Sequence, residues 1–513
     1  MTVQHATARA KILDLDVLVV IAAQARSEGR RIVQSHGVFD LLHVGHIRHF
    51  EQAKALGDVL IVTLTPDEYV NKGPGRPAFP HQLRAEAVAA LVAVDYVAIN
   101  RWPQATEAIK MLRPHVYAKG QDYRTAGQDI TGGIVPETDA VHSVGGSIQF
   151  TDDITFSSSE LLNRHFSAFP AETDRYLTEF RRTHSVDHVL SWLERASKLR
   201  PMVVGETIID EYEYCDGIGK STKDPVLAVL FDSMTTLPGG TLAIANHLAG
   251  LCGGATLVTS LGDRERREDF VRQALAPNVE PVLLTKSGSP TIHKRRIVDQ
   301  YSGNKLFEIY VMDDRLTAGA DEQALQAALA SHLAKVDLTI VADYGHGMLP
   351  PSAIETLCAA PPFLAVNVQS NAGNRGFNPV SKYRRADYVC LAMHEIAMET
   401  RSRDGSVHDR VKEVATRVDC SRFTVTKGKA GSLHYETPDQ FFEYPSLASR
   451  VLDRVGAGDG VLAATSLLLK CGAPWDIVGF VGNVAGAELV AELGNRVPLN
   501  RISLSKHITA LMK

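Results

Sequence analysis

Along the first hundred residues, apolar positions alternate between helical spacing and unbroken runs of strand length. Residues 17–27 have the helical spacing, residues 31–34 read as a strand, and residues 41–43 close a turn. Residues 47–55 are again helically spaced and stop at Gly57, a residue suited to a helix C-cap. Residues 59–64 are apolar almost throughout, as a strand covered on both faces requires. The alternation continues with a helix over 83–92, a strand over 96–99, a helix over 105–112 and a strand over 116–118. A last helix is predicted over 158–164. Strands alternating with helices specify β-α-β units and a parallel sheet, with ligands beyond the carboxyl ends of the strands.

From about residue 168 to 199 the chain is charged and helix-prone, which predicts a connector of one or two helices. A second alternating series follows, with strands predicted at 202–204, 256–259, 338–342, 363–368, 388–391 and 423–426. The expected organisation is a domain over 1–165, a helical connector over 166–199 and a larger domain over 200–513. No repeat, coiled coil or low-complexity tract interrupts it.

Charge and cysteine content narrow the chemistry. The 54 basic and 59 acidic residues leave a net charge of −5, which argues against a dedicated nucleic-acid binder. The six cysteines are scattered without a C-x-x-C pair, so a zinc ribbon, a redox motif and a disulfide framework are not expected. The N-terminal stretch shows no secretory pattern, and its longest apolar run is too short to cross a bilayer. A cytoplasmic protein without membrane partners is expected.

Two segments carry phosphate chemistry. In the first, SHGVFDLLHVGHIRHF, a strand enters a turn and then a helix that opens with His43-x-Gly45-His46. A helix N-terminus presents unpaired N–H groups and the positive end of its dipole to an anion. Gly45 leaves room for close approach, and two histidines three apart share one face. Such a pair can donate to phosphate oxygens as charge builds on a leaving pyrophosphate. A zinc pair would require a third ligand that the neighbouring sequence does not offer.

The segment resembles the H-x-G-H signature of cytidylyltransferase-like nucleotidyltransferases. The wider likeness is to the adenylyltransferase half of bifunctional heptose kinase/adenylyltransferases, and it extends from Arg31 to about His165. It includes Leu56-Gly57-Asp58, Arg76-Pro77, Lys119-Gly120-x-Asp122-Tyr123 and a serine run. The resemblance implies catalysis by His43 and His46. It implies nucleotide or phosphate contacts from Gly37, Phe39, Gly45, Lys72, Arg84, Lys119, Asp122, Ser157, Ser158 and Ser159. The implied reaction is attack of a phosphate monoester on the α-phosphorus of ATP or CTP with Mg²⁺, releasing pyrophosphate.

The second segment is RVGAGDGVLAATSLLL, in which Gly456-Ala457-Gly458-Asp459 precedes an apolar helix. Small residues there form a nest of N–H groups for a migrating phosphoryl group. Asp459 stands where it could take the proton of an acceptor hydroxyl. No Walker A loop is present. The segment resembles the G-A-G-D signature of ribokinase-like PfkB carbohydrate kinases. Supporting matches are Val203-Val204-Gly205 with Asp210, Pro238-Gly239-Gly240, Pro290-Thr291-Ile292 with Lys294, Asp343-Tyr344 with Gly347, and Thr426-Lys427-Gly428 with Gly431. The resemblance implies sugar contacts from Asp210, Gly239, Gly240 and Lys294. It implies nucleotide contacts from Lys427, Gly428, Gly456, Ala457 and Gly458, and a role for Glu395 in organising Mg²⁺.

The implied fold is two doubly wound α/β domains: a Rossmann-like nucleotidyltransferase, then a ribokinase-like fold with a small β lid that pairs as a homodimer. The order is the reverse of the heptose enzymes, where the kinase comes first. The pattern also departs from theirs: Ala243 and Ala392 stand where asparagines are expected, Asn367-Val368-Gln369 replaces Asp-Pro-Lys, and Val455 replaces a threonine. Losing polar groups from a sugar site changes specificity or affinity. The main expectation is therefore a bifunctional sugar kinase and nucleotidyltransferase acting on a sugar or sugar phosphate. The alternative is an active nucleotidyltransferase beside an impaired kinase fold that binds or dimerises. A purely nucleotide-sensing protein is the remaining class.

Overall fold

The strand Ile32–Gly37 (β1) lies at the middle of a five-stranded sheet and is buried over its first five positions. Its partners are Val59–Leu64 (β2), Tyr96–Ile99 (β3), Val116–Gly120 (β4) and Ser147–Thr151 (β5), in the order β3-β2-β1-β4-β5. Every pairing is parallel. The chain builds outward from β1 to β3, then crosses to β4 on the other side. That reversal opens a crevice between the carboxyl ends of β1 and β4, the binding position of open α/β sheets. The computed structural model describes residues 8–70, 76–121, 133–151, 169–402 and 404–513. The expected helix over 158–164 lies outside the described residues.

The helix expected over 83–92 spans His81–Ala89. Pro80, with φ −54°, sets its start. Val92, 96% exposed, is an apolar residue in solvent, and its type had extended the predicted helix too far.

By contact the chain divides into two units, Met1–Pro170 with Ser505–Lys513, and Ala171–Leu504. The second unit contains a nine-stranded sheet and a smaller four-stranded one. Its strands are Pro201–Gly205 (β6), Thr207–Lys220 (β7), Leu227–Gly240 (β8), Ala255–Arg264 (β9), Val279–Pro290 (β10), His293–Asp299 (β11) and Lys305–Val311 (β12). Leu338–Asp343 (β13), Leu364–Val368 (β14), Tyr388–Ala392 (β15), Arg422–Thr426 (β16), Ser432–Glu436 (β17) and Gln440–Tyr444 (β18) follow. The large sheet runs β10-β9-β6-β13-β14-β15-β16-β17-β18 and is parallel up to β16. The small sheet, β12-β11-β7-β8, is the lid. β7 is buried at its beginning and exposed towards its end, so the lid projects from the core.

The predicted connector forms two helices, Ala171–Thr183 and Val186–Ala196, and both belong to the second unit. Phe180 stacks on Phe480 at 4.2 Å between ring centres, and His184 Nε2 lies 2.8 Å from Asp476. Each helix is strongly amphipathic and its apolar stripe is buried, Leu177 and Phe180 in the first and Val189, Leu193 and Ala196 in the second. No helix among the described residues is long and apolar enough to cross a membrane.

Candidate active sites

In the first unit the helix Val44–Ala55 begins just beyond the end of β1. His43 caps it: the Gly45 N–H donates to His43 Nδ1 at 3.1 Å. With Nδ1 accepting, the proton of the neutral ring sits on Nε2. The His43 and His46 rings lie 4.0 Å apart, and Phe39 meets His46 edge-on at 5.5 Å. Phe39 and Leu41 both adopt φ 48°, rare for such side chains, and Phe39 packs over Gly37. The structure thus brings Gly37, Phe39, His43, Gly45 and His46 together at the end of β1, around the start of one helix.

A third histidine of the same helix was missed. His49 is buried and spans the sheet, with Nε2 2.7 Å from Ser35 Oγ on β1 and Nδ1 2.8 Å from Thr151 Oγ1 on β5. Its sequence signal was the repeat of histidine three residues after His46, which puts it on the same helix face. Asp40 was also missed: its carboxylate accepts the N–H groups of Ala78 (2.7 Å) and Phe79 (3.2 Å), drawing that loop towards the site.

Two expected phosphate ligands have protein partners. Arg84 is 1% exposed; its guanidinium donates to Val38 O, to Phe79 O and Thr65 O (2.9 Å each), and to Asp67 Oδ1 (2.6 Å). It ties the segment after β1 to the segment after β2 and is a clasp beneath the site. Lys119 is buried against Glu137 at 2.8 Å. Burial alone would push the Glu137 carboxyl up, but Lys119 and His36 hold it below its ordinary value. Lys72, Asp122, Ser157, Ser158 and Ser159 lie outside the described residues.

In the second unit Asp210, on β7, is buried and bonded to Arg296 of β11 at 2.5 Å. Gly239, on the neighbouring β8, lies directly against this carboxylate. Lys294 is 5% exposed and sits 5.2 Å from the Tyr310 ring. Burial pulls its ammonium below the ordinary lysine value, opposed by Asp210. Gly240 starts the helix Thr241–Leu251, in which Ala243 is buried. The nearby Asn246 does not stand in for a lost asparagine, because its amide is bonded to Ala274 O and Ala276 N at 2.8 Å each.

The helix Ala457–Lys470 begins at Gly456, whose φ of 83° only glycine adopts freely. Its first-turn amides, from Ala457, Gly458 and Asp459, have no intrahelical acceptors, the arrangement in which a helix start can bind an anion. Asp459 stands in that turn and accepts the Tyr344 hydroxyl at 3.0 Å. Burial pushes its carboxyl up to about 7, with Asp210 and Glu395 adding to the rise and Tyr344 and Lys294 opposing it. A carboxylate poised near neutrality is a competent general base.

Six residues before Asp459, Asp453 accepts from Lys305 Nζ (2.7 Å) and Arg454 N (2.7 Å) on one oxygen and from Tyr212 Oη (2.9 Å) on the other. It links the lid strands β7 and β12 to the loop before the helix Ala457–Lys470. Glu395 is also buried, and its oxygens accept Ser370 N (3.0 Å) and Ala392 N (2.7 Å). Each oxygen keeps a lone pair for a hard cation or its water shell, so the residue fits Mg²⁺. Lys427 pairs with Glu443 at 2.5 Å, beside Gly428.

Comparison with known proteins agrees with this division. Residues 35–164 match the cytidylyltransferase-like family, and residues 199–501 match the pfkB family of carbohydrate kinases. The bifunctional protein HldE of Pelobacter propionicus is 37% identical over 157 residues, 30% of this chain and 31% of that protein. The HldE protein of Koribacter versatilis is 29% identical over 329 residues, 62% of this chain and 64% of that protein. The chain therefore spans less than two thirds of the length of either relative. Among solved structures, phosphofructokinase-2 of Escherichia coli has the same fold, with a TM-score of 0.50 at 16% identity over 61% of this chain and 100% of that one.

Proposed function

Because the chain belongs to the pfkB family of carbohydrate kinases and carries a cytidylyltransferase-like domain ahead of that region, we propose that it is a bifunctional enzyme of nucleotide-activated sugar synthesis. The second unit phosphorylates a sugar or sugar phosphate with ATP. The first unit joins a sugar phosphate to a nucleotide from ATP or CTP.

The observation that carries the kinase reading is the half-buried Asp459 carboxylate, which accepts the Tyr344 hydroxyl, at the open end of the helix Ala457–Lys470. The acceptor hydroxyl gives its proton to Asp459 while its oxygen bonds to the γ-phosphorus of ATP and the bond to ADP breaks. The nest of Ala457, Gly458 and Asp459 amides receives the charge of the moving phosphoryl group. Asp210, Lys294, Gly239 and Gly240 hold the acceptor, and Lys427 and Gly428 flank the nucleotide. Glu395 would hold Mg²⁺, which neutralises the polyphosphate when bound. Nothing in the geometry favours an inert kinase fold.

In the first unit an anionic phosphate oxygen of the acceptor bonds to the α-phosphorus and pyrophosphate leaves. This nucleophile is already charged, so alignment and charge neutralisation supply the catalysis. His43 and His46 face the leaving group from the helix start, with Lys72, Asp122 and Ser157–Ser159 as further phosphate ligands. Arg84 and Lys119 support the site from beneath.

The lid is proposed to pair two copies of the chain. Leu230, Phe231 and Met234 of β8 and Phe307 and Ile309 of β12 are exposed on this small sheet, an apolar area that a second copy would cover. Nucleotide substrates and six free cysteines suit the cytoplasm.

The purified chain is tested with ATP and CTP against a panel of sugars and sugar phosphates, following ADP and pyrophosphate separately. Asp459→Asn is expected to abolish ADP formation and His46→Ala pyrophosphate release, each leaving the other reaction intact. Absence of both products with every acceptor would refute the reading. Sedimentation of Phe231→Asp, expected to be monomeric, tests the pairing.

A further inference from the structure

Tyr344 follows β13 directly, and each of its polar groups is engaged. Its N–H donates to Glu206 Oε2 at 2.9 Å, and its hydroxyl donates to Asp459 Oδ1 at 3.0 Å. Its carbonyl accepts two side-chain amides, Asn371 Nδ2 at 2.9 Å and Asn374 Nδ2 at 2.8 Å. The ring is 2% exposed.

The residues that grip it are themselves held. Glu206 also accepts His346 N at 3.0 Å. Asn374 Nδ2 also reaches Gln369 O at 3.2 Å, and Asn371 Oδ1 accepts Gly373 N at 2.9 Å. Asn378 Nδ2 donates to Asp343 O at 3.1 Å, and Lys382 Nζ donates to Asn378 Oδ1 at 2.6 Å. Three asparagines four or fewer residues apart thus grasp the turn after β13. They follow immediately on Asn367-Val368-Gln369, where this chain departs from the related pattern. The departure therefore lies beside the asparagines that bond to the turn that carries Tyr344.

We propose that Tyr344, clamped through its backbone by Asn371, Asn374 and Glu206, is a positioning residue that aims the Asp459 carboxylate. Its hydroxyl occupies Oδ1 and so presents Oδ2 to the acceptor hydroxyl. The inference rests on the kinase reading above, and it adds the residues that make the base directional. Four groups face Asp459. Asp210 from β7 and Glu395 from the helix Met393–Glu399 disfavour its charge, while Lys294 from β11 and the Tyr344 hydroxyl favour it. Removing the hydroxyl leaves the two acidic neighbours less opposed, so the carboxyl must become harder to ionise.

The test is a titration of Asp459 by ¹³C NMR in protein carrying labelled aspartate, the resonance being assigned by its loss in Asp459→Asn. Tyr344→Phe is expected to raise the midpoint by about one pH unit, since one hydrogen bond to the charged form is lost. Asn371→Ala with Asn374→Ala is expected to raise it less and in the same direction. In both proteins the acidic limb of kcat for ADP formation should move with the midpoint while KM for ATP stays constant. An unmoved midpoint in either protein overturns the proposal, and if Tyr344→Phe fails to fold the asparagine pair alone decides. Failure of the wild-type chain to form ADP would instead overturn the kinase reading, with the titration still deciding this one.

Discussion

Gly239 and the Asp210 carboxylate are so close that a Cβ at position 239 would overlap Asp210 Oδ2 and stand 2.9 Å from its Cγ. The carboxylate belongs to an ion pair with Arg296, so it cannot move aside without breaking that bond. Gly239→Ala should therefore misplace Asp210 and reduce kcat/KM for sugar phosphorylation about a hundredfold, as displacements near 1 Å do. Pyrophosphate release by the first unit should be unaffected, which a parallel assay of both products checks.

His43 and His46 should separate on two measurements. His46→Ala is expected to reduce pyrophosphate release about a hundredfold or more by removing one donor to the leaving group. His43→Ala should lower activity similarly and also cost about 1 kcal/mol of stability, because His43 Nδ1 caps the helix at Gly45. Denaturation of the two variants side by side reads the difference.

The elevated Asp459 carboxyl makes a prediction about pH. Phosphorylation should fall below pH about 7 as the base becomes protonated. The folded-state value lies above the unfolded one, so ionising Asp459 opposes folding, and the cost is present above the folded midpoint. Asp459→Asn should therefore raise Tm at pH 8 and lose this advantage as the pH falls through 7 towards the ordinary carboxylate range. A variant that is inactive yet more stable at pH 8, measured by thermal denaturation across that range, is the expected outcome.

Arg84 is expected to act through stability. Arg84→Met would strand the carbonyls of Val38, Thr65 and Phe79, costing about 3 kcal/mol or more by urea denaturation. A variant of undiminished stability with a raised KM for the nucleotide would make Arg84 a direct phosphate ligand.

What the sequence made legible was local. The helix that opens at His43 was readable because a strand, a glycine and a helical apolar stripe follow one another within some twenty residues. The same holds for Gly456 and Asp459, which share one turn. The partners of Lys119 and Arg84 were not readable. Glu137 lies far along the chain from Lys119, and the acceptors of Arg84 are mostly carbonyls, which every residue possesses. Lid strands β7 and β8 escaped the periodicity because their outer halves are exposed and leave no buried apolar run. Tyr344 belonged to a recognisable turn, yet its bond to Asp459 joins positions 115 residues apart. Only the folded sheet brings them together.

Asp453 has a consequence for anyone exchanging parts between enzymes of this type. Its oxygens are satisfied from two strands of the lid, by Tyr212 and Lys305, and from the loop it belongs to. A chimera that imported a foreign lid to recruit a different acceptor would have to transplant both partners with it. Otherwise a buried anion would be left without a counterion four residues from Ala457, where the helix Ala457–Lys470 begins.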